Sequence, residues 1–431
     1  MKRIFLTTLA LSAAAQNFDV ALIGDMPYGA ANEPRYERVI ADINRTAVDF
    51  TIHVGDTKSG STRCDNSHYT QVLSWFNSFD TALIYTPGDN EWTDCMRTNN
   101  GAYDPLDRLS LIRKTLFQND RSLGRRPVTV QRQSADSQYA LYVENAIYVK
   151  GPVVFVTIHA PGSNNNLEYK TVQGAANRFY DNDKEFTARD AANVAWLRKA
   201  FQTARDNKSL GVVVALQGNI FEGFFEEETG STRSGFENIV RTLRTETKAF
   251  KGEVVVVSGD SHYMRVDKPL SEKYPGCTAA TGACRPVGTT ASARGATILN
   301  FTRVEVPWAE NVHWALLKVR PGSRNIFQVE FMIVPDAPAG AAVSAAIAGP
   351  AVVETNSPQI NLDGSQSTSP NSGDLTYSWT TAAGYPVASI LNALSPTPTM
   401  QMPMRGEYQF VLTVTDRTGA SAKSSVTVRY L

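Results

Sequence analysis

The sequence has no excess of charge of either sign, few cysteines and no long apolar run after its N-terminus. Lys+Arg and Asp+Glu both number 42, so no overall field favours nucleic acid or acidic membranes. No later apolar run approaches the length of a membrane span. The 4 cysteines include no Cys-x-x-Cys pair, which argues against a thiolate zinc site. These absences leave a neutral chain of 431 residues, long enough for more than one domain.

The first residues are typical of a secretion signal. Lys2 and Arg3 precede an apolar stretch from Ile4 to Leu11, and small residues at 13–15 offer a cleavage site. The sequence therefore predicts a signal peptide over residues 1–15 and a secreted or periplasmic protein.

Acidic residues stand at the ends of four apolar runs, each with the pattern of a short buried strand. These Gly-Asp motifs end in Asp25, Asp56, Asp89 and Asp260. In an open α/β sheet, ligands bind just beyond the carboxyl ends of the strands. Four carboxylates gathered there would repel one another, and divalent metal ions are their natural counter-charge. A single Gly-Asp is usually only a turn, but four of them, the last followed by His262, predict a site.

The cysteines fit export to an oxidising compartment. Cys64 and Cys95 each follow a Gly-Asp motif by a few residues. If those motifs converge, the two cysteines lie near one another, and we expect a disulfide between them. Cys277 and Cys284 flank a loop rich in Thr, Ala and Gly and form the second expected pair.

The chain divides into two regions of different pattern. Strand-like and helix-like runs alternate over residues 17–335 and predict an α/β domain. Residues 336–349 carry almost no charge and no amphipathic period, so we expect an exposed linker. Over residues 350–431, short alternating runs separated by Gly, Asn, Ser and Pro predict an all-β sandwich.

The C-terminal region resembles a PKD domain, which is an immunoglobulin-like sandwich. The resemblance lies in residues 360–367, 375–379 and 406–416, with Trp379 as a core residue. It implies an extracellular spacer or adhesion module that contacts glycans or proteins.

The order of the Gly-Asp motifs resembles that of the calcineurin-like metallophosphoesterase family. The matching segments, spread over residues 18–334, are 24–27, 55–56, 88–91 and 259–262. The resemblance implies a four-layer αββα sandwich with the motifs on loops after strands. It also implies hydrolysis of a phosphomonoester or phosphodiester, small or polymeric, by metal-activated water.

A set of metal ligands follows from the same resemblance. Asp25 and His262 would bind the first ion, Asp56 would bridge both ions, and Asp89 and Asp260 would bind the second. Several family histidines are replaced here by oxygen donors. We therefore expect one or two ions, with Mn²⁺, Mg²⁺ or Ca²⁺ favoured over Zn²⁺ and iron as a further candidate.

Two motif positions depart from the family in ways that bear on catalysis. Pro27 replaces a first-motif histidine and cannot ligate. Asn90 replaces the histidine that assists the leaving group, and an amide cannot supply a proton at neutral pH. The resemblance makes Asn90 and Asp56 the catalytic residues, with weak activity expected on esters that have poor leaving groups.

Three further positions complete the predicted site. Gln217, which follows the strand-like run 210–216, is favoured over His159 as the equivalent of the family's fourth-motif metal ligand. His159 is then a nearby supporting or substrate-binding group. Lys58 is a candidate for neutralising a phosphate, with a solvated loop lysine as an equally weighted alternative.

Two functions stay open from the sequence. The first is an exported, metal-dependent phosphoesterase. The second is a degenerate phosphoesterase fold that acts in extracellular binding or adhesion, and the replaced histidines at Pro27, Asn90 and Gln217 motivate it. A nuclease would share the metal core, but no aromatic and basic groove is visible, so nucleic acid is not an expected partner.

Overall fold

A computed structural model describes most of the chain, namely residues 16–167, 182–221, 234–272, 295–310, 313–334, 343–369, 375–416 and 419–431. Three predictions fall outside these described residues. They are the signal peptide at 1–15, the disulfide between Cys277 and Cys284, and the first part of the linker, 336–342.

The N-terminal part mixes helices with strands. Its α-helices of more than one turn are α1 (Glu33–Arg45), α2 (Asn66–Phe76), α3 (Pro105–Leu116), α4 (Asn182–Asp206) and α5 (Glu237–Ala249). Its strands are β1 (Phe18–Ile23), β2 (Phe50–His53), β3 (Ala82–Tyr85), β4 (Gln131–Arg132), β5 (Ala146–Lys150), β6 (Val153–Thr157), β7 (Gly211–Ala215), β8 (Glu253–Ser258), β9 (Arg265–Asp267), β10 (Phe301–Glu305), β11 (His313–Val319) and β12 (Phe327–Ile333).

Local sequence explains where these helices begin and which face they bury. The side chain of Asp104 accepts a hydrogen bond from Leu106 N at 2.9 Å, and Pro105 occupies the first turn of α3. In α1, Tyr36, Val39, Ile40 and Ile43 recur at helical spacing and are all buried.

The strands form two mixed sheets. The first has the order β12-β11-β1-β2-β3, and the second has the order β4-β5-β6-β7-β8-β10-β9. Strands β1, β2 and β3 run parallel to one another, as do β6, β7, β8 and β10. In each sheet the parallel strands therefore end at a common edge, and that edge carries the Gly-Asp motifs.

The two sheets pack against each other, with helices on their outer faces. Phe50 and Ile52 of the first sheet meet Phe155 and Val255 of the second in one apolar cluster. The other face of the first sheet packs on α1, α2 and α3, and the other face of the second packs on α4 and α5. The predicted mixed α/β class of this part is confirmed.

The C-terminal part is an all-β sandwich, as predicted. Its two sheets have the orders β13-β19-β18-β15 and β14-β17-β16. Its strands are β13 (Val352–Thr355), β14 (Gln359–Asn361), β15 (Thr376–Thr381), β16 (Ser389–Leu391), β17 (Thr399–Gln401), β18 (Gly406–Thr415) and β19 (Ser421–Tyr430). Trp379, Tyr408 and Phe410 are buried in its core.

The predicted linker extends too far at its C-terminal end. Val343 is buried in the core of the sandwich, and Ser344 forms a β-bridge with Thr368. The run of small residues that suggested a linker therefore packs on the C-terminal domain from residue 343 onwards, because Val343 and its alternate neighbours face that core.

The two parts are in direct contact. Val387 and Leu394 of the sandwich pack against the apolar cluster between the two α/β sheets. Asn325 Nδ2 donates to Tyr385 O at 2.7 Å, and Lys423 Nζ pairs with Glu330 Oε1 at 2.5 Å. Within the described residues, no helix is long and apolar enough to cross a membrane.

Candidate functional site

The four Gly-Asp motifs converge at the carboxyl ends of the parallel strands. Asp25, Asp56 and Asp89 follow β1, β2 and β3 of the first sheet, and Asp260 follows β8 of the second. The backbone N–H of Asp260 donates to Asp25 Oδ1 at 3.0 Å, which joins the two sheets directly. The predicted cluster of carboxylates is therefore present as a spatial arrangement.

Three of these aspartates, and His262, have left-handed backbone conformations. The φ angles are 51° for Asp25, 55° for Asp56, 74° for Asp260 and 62° for His262. Such conformations are uncommon for residues other than glycine, and they concentrate at functional sites, where the surrounding structure holds them in place.

The glycine of one motif makes room for the carboxylate of another. A Cβ atom on Gly259 would lie 2.0 Å from Asp25 Oδ2, and a Cβ atom on Gly88 would lie 2.1 Å from Asp56 Oδ1. Neither position can accept a side chain without displacing a carboxylate. The glycines are thus required for packing of the site as well as for the turns that the sequence suggested.

Tyr28 lies at the centre of the cluster, and sequence reasoning missed it. Its hydroxyl oxygen is 3.0 Å from Asp56 Oδ2, 3.4 Å from Asp25 Oδ1 and 3.1 Å from His262 Nε2. The signal available in the sequence was its position, three residues after Asp25 and directly after Pro27. The phenol oxygen marks the point on which the ligands predicted for the first metal ion converge.

Asn90 is held against Asp56, its predicted catalytic partner. Its Nδ2 donates to Asp56 Oδ2 at 2.7 Å, and its backbone N–H donates to Asp56 Oδ1 at 3.2 Å. Glu91, the next residue, is buried and accepts bonds from Gly88 N at 2.8 Å and Tyr85 Oη at 2.7 Å. Glu91 therefore positions the third motif.

Gln217 lies where the sequence placed it, but its amide bridges carboxylates. Its Nε2 donates to Asp89 Oδ1 and to Asp260 Oδ1, each at 3.2 Å, and its Oε1 accepts from Gly162 N. In this arrangement the amide oxygen accepts from the backbone and the amide nitrogen links two carboxylates, and the role of Gln217 as a metal ligand stays a prediction.

His159 and Lys58 are buried beneath the site. His159 Nδ1 lies 2.8 Å from Glu144 Oε1, and burial lowers the pKa of His159. Lys58 is 1% exposed and its Nζ donates to Ser59 O at 2.9 Å. Both side chains are held by contacts within the chain, and their substrate contacts stay a prediction.

A left-handed turn borders the cluster and was not foreseen as part of it. Residues 163–166 all have positive φ angles, between 50° and 67°. Ser163 Oγ donates to Asp89 Oδ2 at 2.7 Å, and Arg189 Nη2 holds the turn by donating to Asn165 O at 2.9 Å. The turn therefore orients the Asp89 carboxylate.

Burial and mutual repulsion disfavour the charged forms of these carboxylates. Burial raises the pKa of Asp260 to about 8, with the charge of Asp89 contributing to the shift. Burial also raises the pKa values of Asp25 and Asp56 well above their usual range, with contributions from the neighbouring acids. Burial lowers the pKa of His262 to about 4, so its imidazole is neutral at pH 7 and able to ligate.

The donor set fits a hard divalent cation in chemistry. Asp25 Oδ2 is buried and has no hydrogen-bond partner among the described residues, so it is open to a proton or to a cation. As the side chains stand, however, no group of three His, Cys, Asp or Glu residues in the described part of the chain is arranged around one metal position. Tyr28, Asn90 and Gln217 lie between the carboxylates instead.

The predicted disulfide between Cys64 and Cys95 is confirmed, with a Cα–Cα distance of 5.7 Å. It joins the loop after Asp56 to the short 3₁₀ helix after Asp89, Thr93–Met96. The bond therefore fixes two of the loops that carry the carboxylates relative to each other.

Comparison with known families identifies the C-terminal domain. Residues 348–429 match a family that is described as a PKD domain. The C-terminal region of this chain is therefore a PKD-like domain. No curated protein matches the chain.

Solved structures add weak and diverse similarities. The PKD domain of the KIAA 1837 protein is 29% identical over 22% of this chain and 90% of its own, with a TM-score of 0.18. GAP50 of Plasmodium, described as the anchor in the inner membrane complex, is 10% identical over 74% of this chain and 90% of its own, with a TM-score of 0.35. A nucleoside hydrolase-related protein from Saccharophagus degradans is 14% identical over 96% of this chain and all of its own, with a TM-score of 0.23.

A PKD-like domain together with a disulfide is typical of a protein outside the cytoplasm. Such a domain is also consistent with contacts to extracellular proteins or glycans.

Proposed function

We propose that the α/β part is an exported, metal-dependent phosphoester hydrolase of the calcineurin-like type, with its αββα layers. The supporting observation is the meeting of Asp25, Asp56, Asp89 and Asp260 with His262 at one edge of two packed sheets. Buried carboxylates on strained backbone lower the stability of the fold, and a metal-dependent site would explain their presence.

In this proposal Asp25, Asp56 and His262 would hold one divalent ion, and Asp89 and Asp260 would hold a second. Tyr28, whose hydroxyl donates to Asp25 and Asp56, would add an oxygen donor at the first position in place of the histidine that Pro27 replaces. A bound divalent ion supplies an activated water and neutralises phosphate charge.

The side chains around the ligands would set the geometry of the reaction. Asn90 orients Asp56 and offers an amide donor for a phosphate oxygen. Ser163 orients Asp89. Because Asn90 has no proton to give, we expect esters whose leaving groups depart without protonation, such as aryl phosphates, to be the better substrates.

The test compares the purified protein with Asp56→Ala and with a control, Asp107→Ala, which removes an exposed aspartate from α3. We expect the parent and the control to bind Mn²⁺ and to hydrolyse p-nitrophenyl phosphate. Asp56→Ala should lose bound metal, and its kcat/KM should fall about 100-fold or more. Unchanged hydrolysis in Asp56→Ala would contradict the proposal.

A second candidate is a binding protein on a degenerate phosphoesterase fold. The observation that favours it is that Tyr28, Asn90 and Gln217 already link the carboxylates by hydrogen bonds within the chain. A protein that takes up neither Mn²⁺ nor Mg²⁺ and hydrolyses no phosphoester, yet binds a glycan or protein surface, would favour this candidate.

A further inference from the structure

A cavity of about 660 Å³ opens beside the candidate site, between the two parts of the molecule. One wall is the segment that begins at His262, residues 262–265. The other wall is residues 390–395 of the PKD-like domain. His262 belongs both to this cavity and to the carboxylate cluster, so the cavity continues the site outwards.

The wall from the α/β part is held by Glu305, which is fully buried. Its carboxylate accepts from Tyr263 N at 3.0 Å and from Arg265 Nε at 2.7 Å. The ring of His262 stacks on Trp308 with their centroids 4.3 Å apart. This wall is therefore fixed by buried polar bonds at one side and by ring stacking at the other.

The wall from the PKD-like domain is held by Trp379, in that domain's core. Trp379 N donates to Ala393 O at 3.0 Å, and Trp379 Nε1 donates to Ser395 O at 3.1 Å. On the other side, Leu394 packs on the apolar cluster between the α/β sheets. Residues 390–395 are thus held by contacts to both domains.

The lining suits an apolar or aromatic group. Tyr263 is 47% exposed and Leu391 is 36% exposed, one on each wall. The Arg265 guanidinium lies over the Tyr263 ring, 4.9 Å from its centroid, so part of that ring is covered within the chain. The charged residue in the lining, Arg265, is engaged by Glu305. The volume lies in the range of sites for small organic ligands, roughly 300–1,000 Å³.

We propose that the PKD-like domain forms one wall of the active cleft and helps to select the substrate. Leu391 and Tyr263 would hold the apolar or aromatic ester group of a phosphoester whose phosphate lies at the carboxylate cluster. This inference rests on the proposed phosphoesterase function. It assigns the C-terminal domain a role in recognition that differs from that of a spacer.

The test measures binding of two phosphonates, which carry the phosphate charge but cannot be hydrolysed. Titration calorimetry in the presence of Mn²⁺ would compare phenylphosphonate with methylphosphonate for the full chain. We expect the parent to prefer phenylphosphonate by about 10-fold, since the phenyl ring removes additional apolar surface from water. Leu391→Asp should reduce that preference to less than about 3-fold. The added carboxylate repels both phosphonates alike, so the readout is the ratio of the two affinities and not either affinity alone.

Two variants complete the design. Val352→Asp places the same charge at an exposed position on β13, away from the cavity lining, and should keep the parent's preference. Tyr263→Ala truncates the side chain on the opposite wall, in the α/β part. It should lose the preference for phenylphosphonate, and it provides a test if Leu391→Asp does not fold. Thermal unfolding of each variant identifies any that is misfolded.

The outcomes separate the two proposals. A parent that binds both phosphonates equally, or folded wall variants that keep the preference, would overturn the inference and leave the phosphate site standing. Binding of neither phosphonate would overturn both proposals. A preference that depends on Leu391, in a protein that hydrolyses no phosphoester, would support the cleft wall and overturn only the proposed hydrolysis.

Discussion

The carboxylate cluster and the core of the PKD-like domain are both buried, but they are built in opposite ways. In the core, Tyr408, Phe410, Leu412 and Val414 alternate along β18 and face other apolar side chains. In the cluster, acidic side chains are buried against one another on left-handed backbone. The core is stabilised by its own contacts, whereas the cluster is held in place by the rest of the fold.

The burial of the two regions therefore has different explanations. Apolar burial is favourable at every position of the core, so no ligand is needed to explain it. Burial of Asp25, Asp56 and Asp260 raises their pKa values, which means that the fold opposes their charged forms. A buried cluster that lowers the stability of the fold is a candidate for a functional site.

The largest expected effect comes from exchanging one residue in each region. Phe410→Ala should destabilise the protein by about 3–5 kcal/mol, because it leaves a cavity in a packed core. Asp260→Asn should instead stabilise the metal-free protein at pH 8, because it removes a buried charge that faces Asp89. We expect its melting temperature to rise by about 4 °C. Urea and thermal unfolding measure both changes.

Equal destabilisation of both variants would contradict this distinction between the core and the cluster. In that case the hydrogen bonds that Asp260 accepts from Asn219 N and Gln217 Nε2 would outweigh its repulsion by Asp89, and the cluster would be an ordinary structural network. Stabilisation of the parent by added Mn²⁺, without stabilisation of Asp260→Asn, would support a metal-binding role for the cluster.

The sequence predicted the elements that follow periodic patterns and the residues at their ends. The α/β and all-β classes, the convergence of the Gly-Asp motifs and the bond between Cys64 and Cys95 all follow from strand patterns and parallel order. Asp25 and its counterparts could be placed because the ends of parallel strands share one edge of a sheet.

The site features that the sequence did not predict depend on contacts between segments that no local pattern connects. Tyr28 and Ser163 lie in loops without periodicity, and their side chains reach the cluster through left-handed turns. His159 is buried, and its Nδ1 lies 2.8 Å from Oε1 of Glu144, which is on a different segment. Leu391 lines the same cavity as His262 because of how the two domains meet, which the order of motifs along a chain does not determine.

A smaller effect is expected from adding a single methyl group to the cluster. Gly259→Ala would place Cβ 2.0 Å from Asp25 Oδ2, so a carboxylate or the backbone must shift, at a cost of about 1–3 kcal/mol. The matched control is Gly322→Ala, whose Cβ would meet no atom within 4 Å. Thermal unfolding and Mn²⁺ binding should both change in the first variant only. Equal behaviour of the two variants would show that the site is loosely packed.

The smallest effect is a change of stability with pH in metal-free protein. Burial raises the pKa of Asp260 to about 8 from an ordinary value of 3.8, with Asp89 adding to the shift. A folded-state pKa above the unfolded value gives stability that is complete below about pH 4 and is lost as the pH rises to about 8. Because neighbouring carboxylates share protons, we expect a modest decrease in melting temperature between pH 5 and pH 8, of about 2–4 °C.

Mn²⁺ should reverse the decrease at pH 8, and Asp260→Asn should reduce it. A melting temperature that rises over this range in metal-free protein would mean that the carboxylates are already neutralised by groups within the fold, and the cluster would then need no cation.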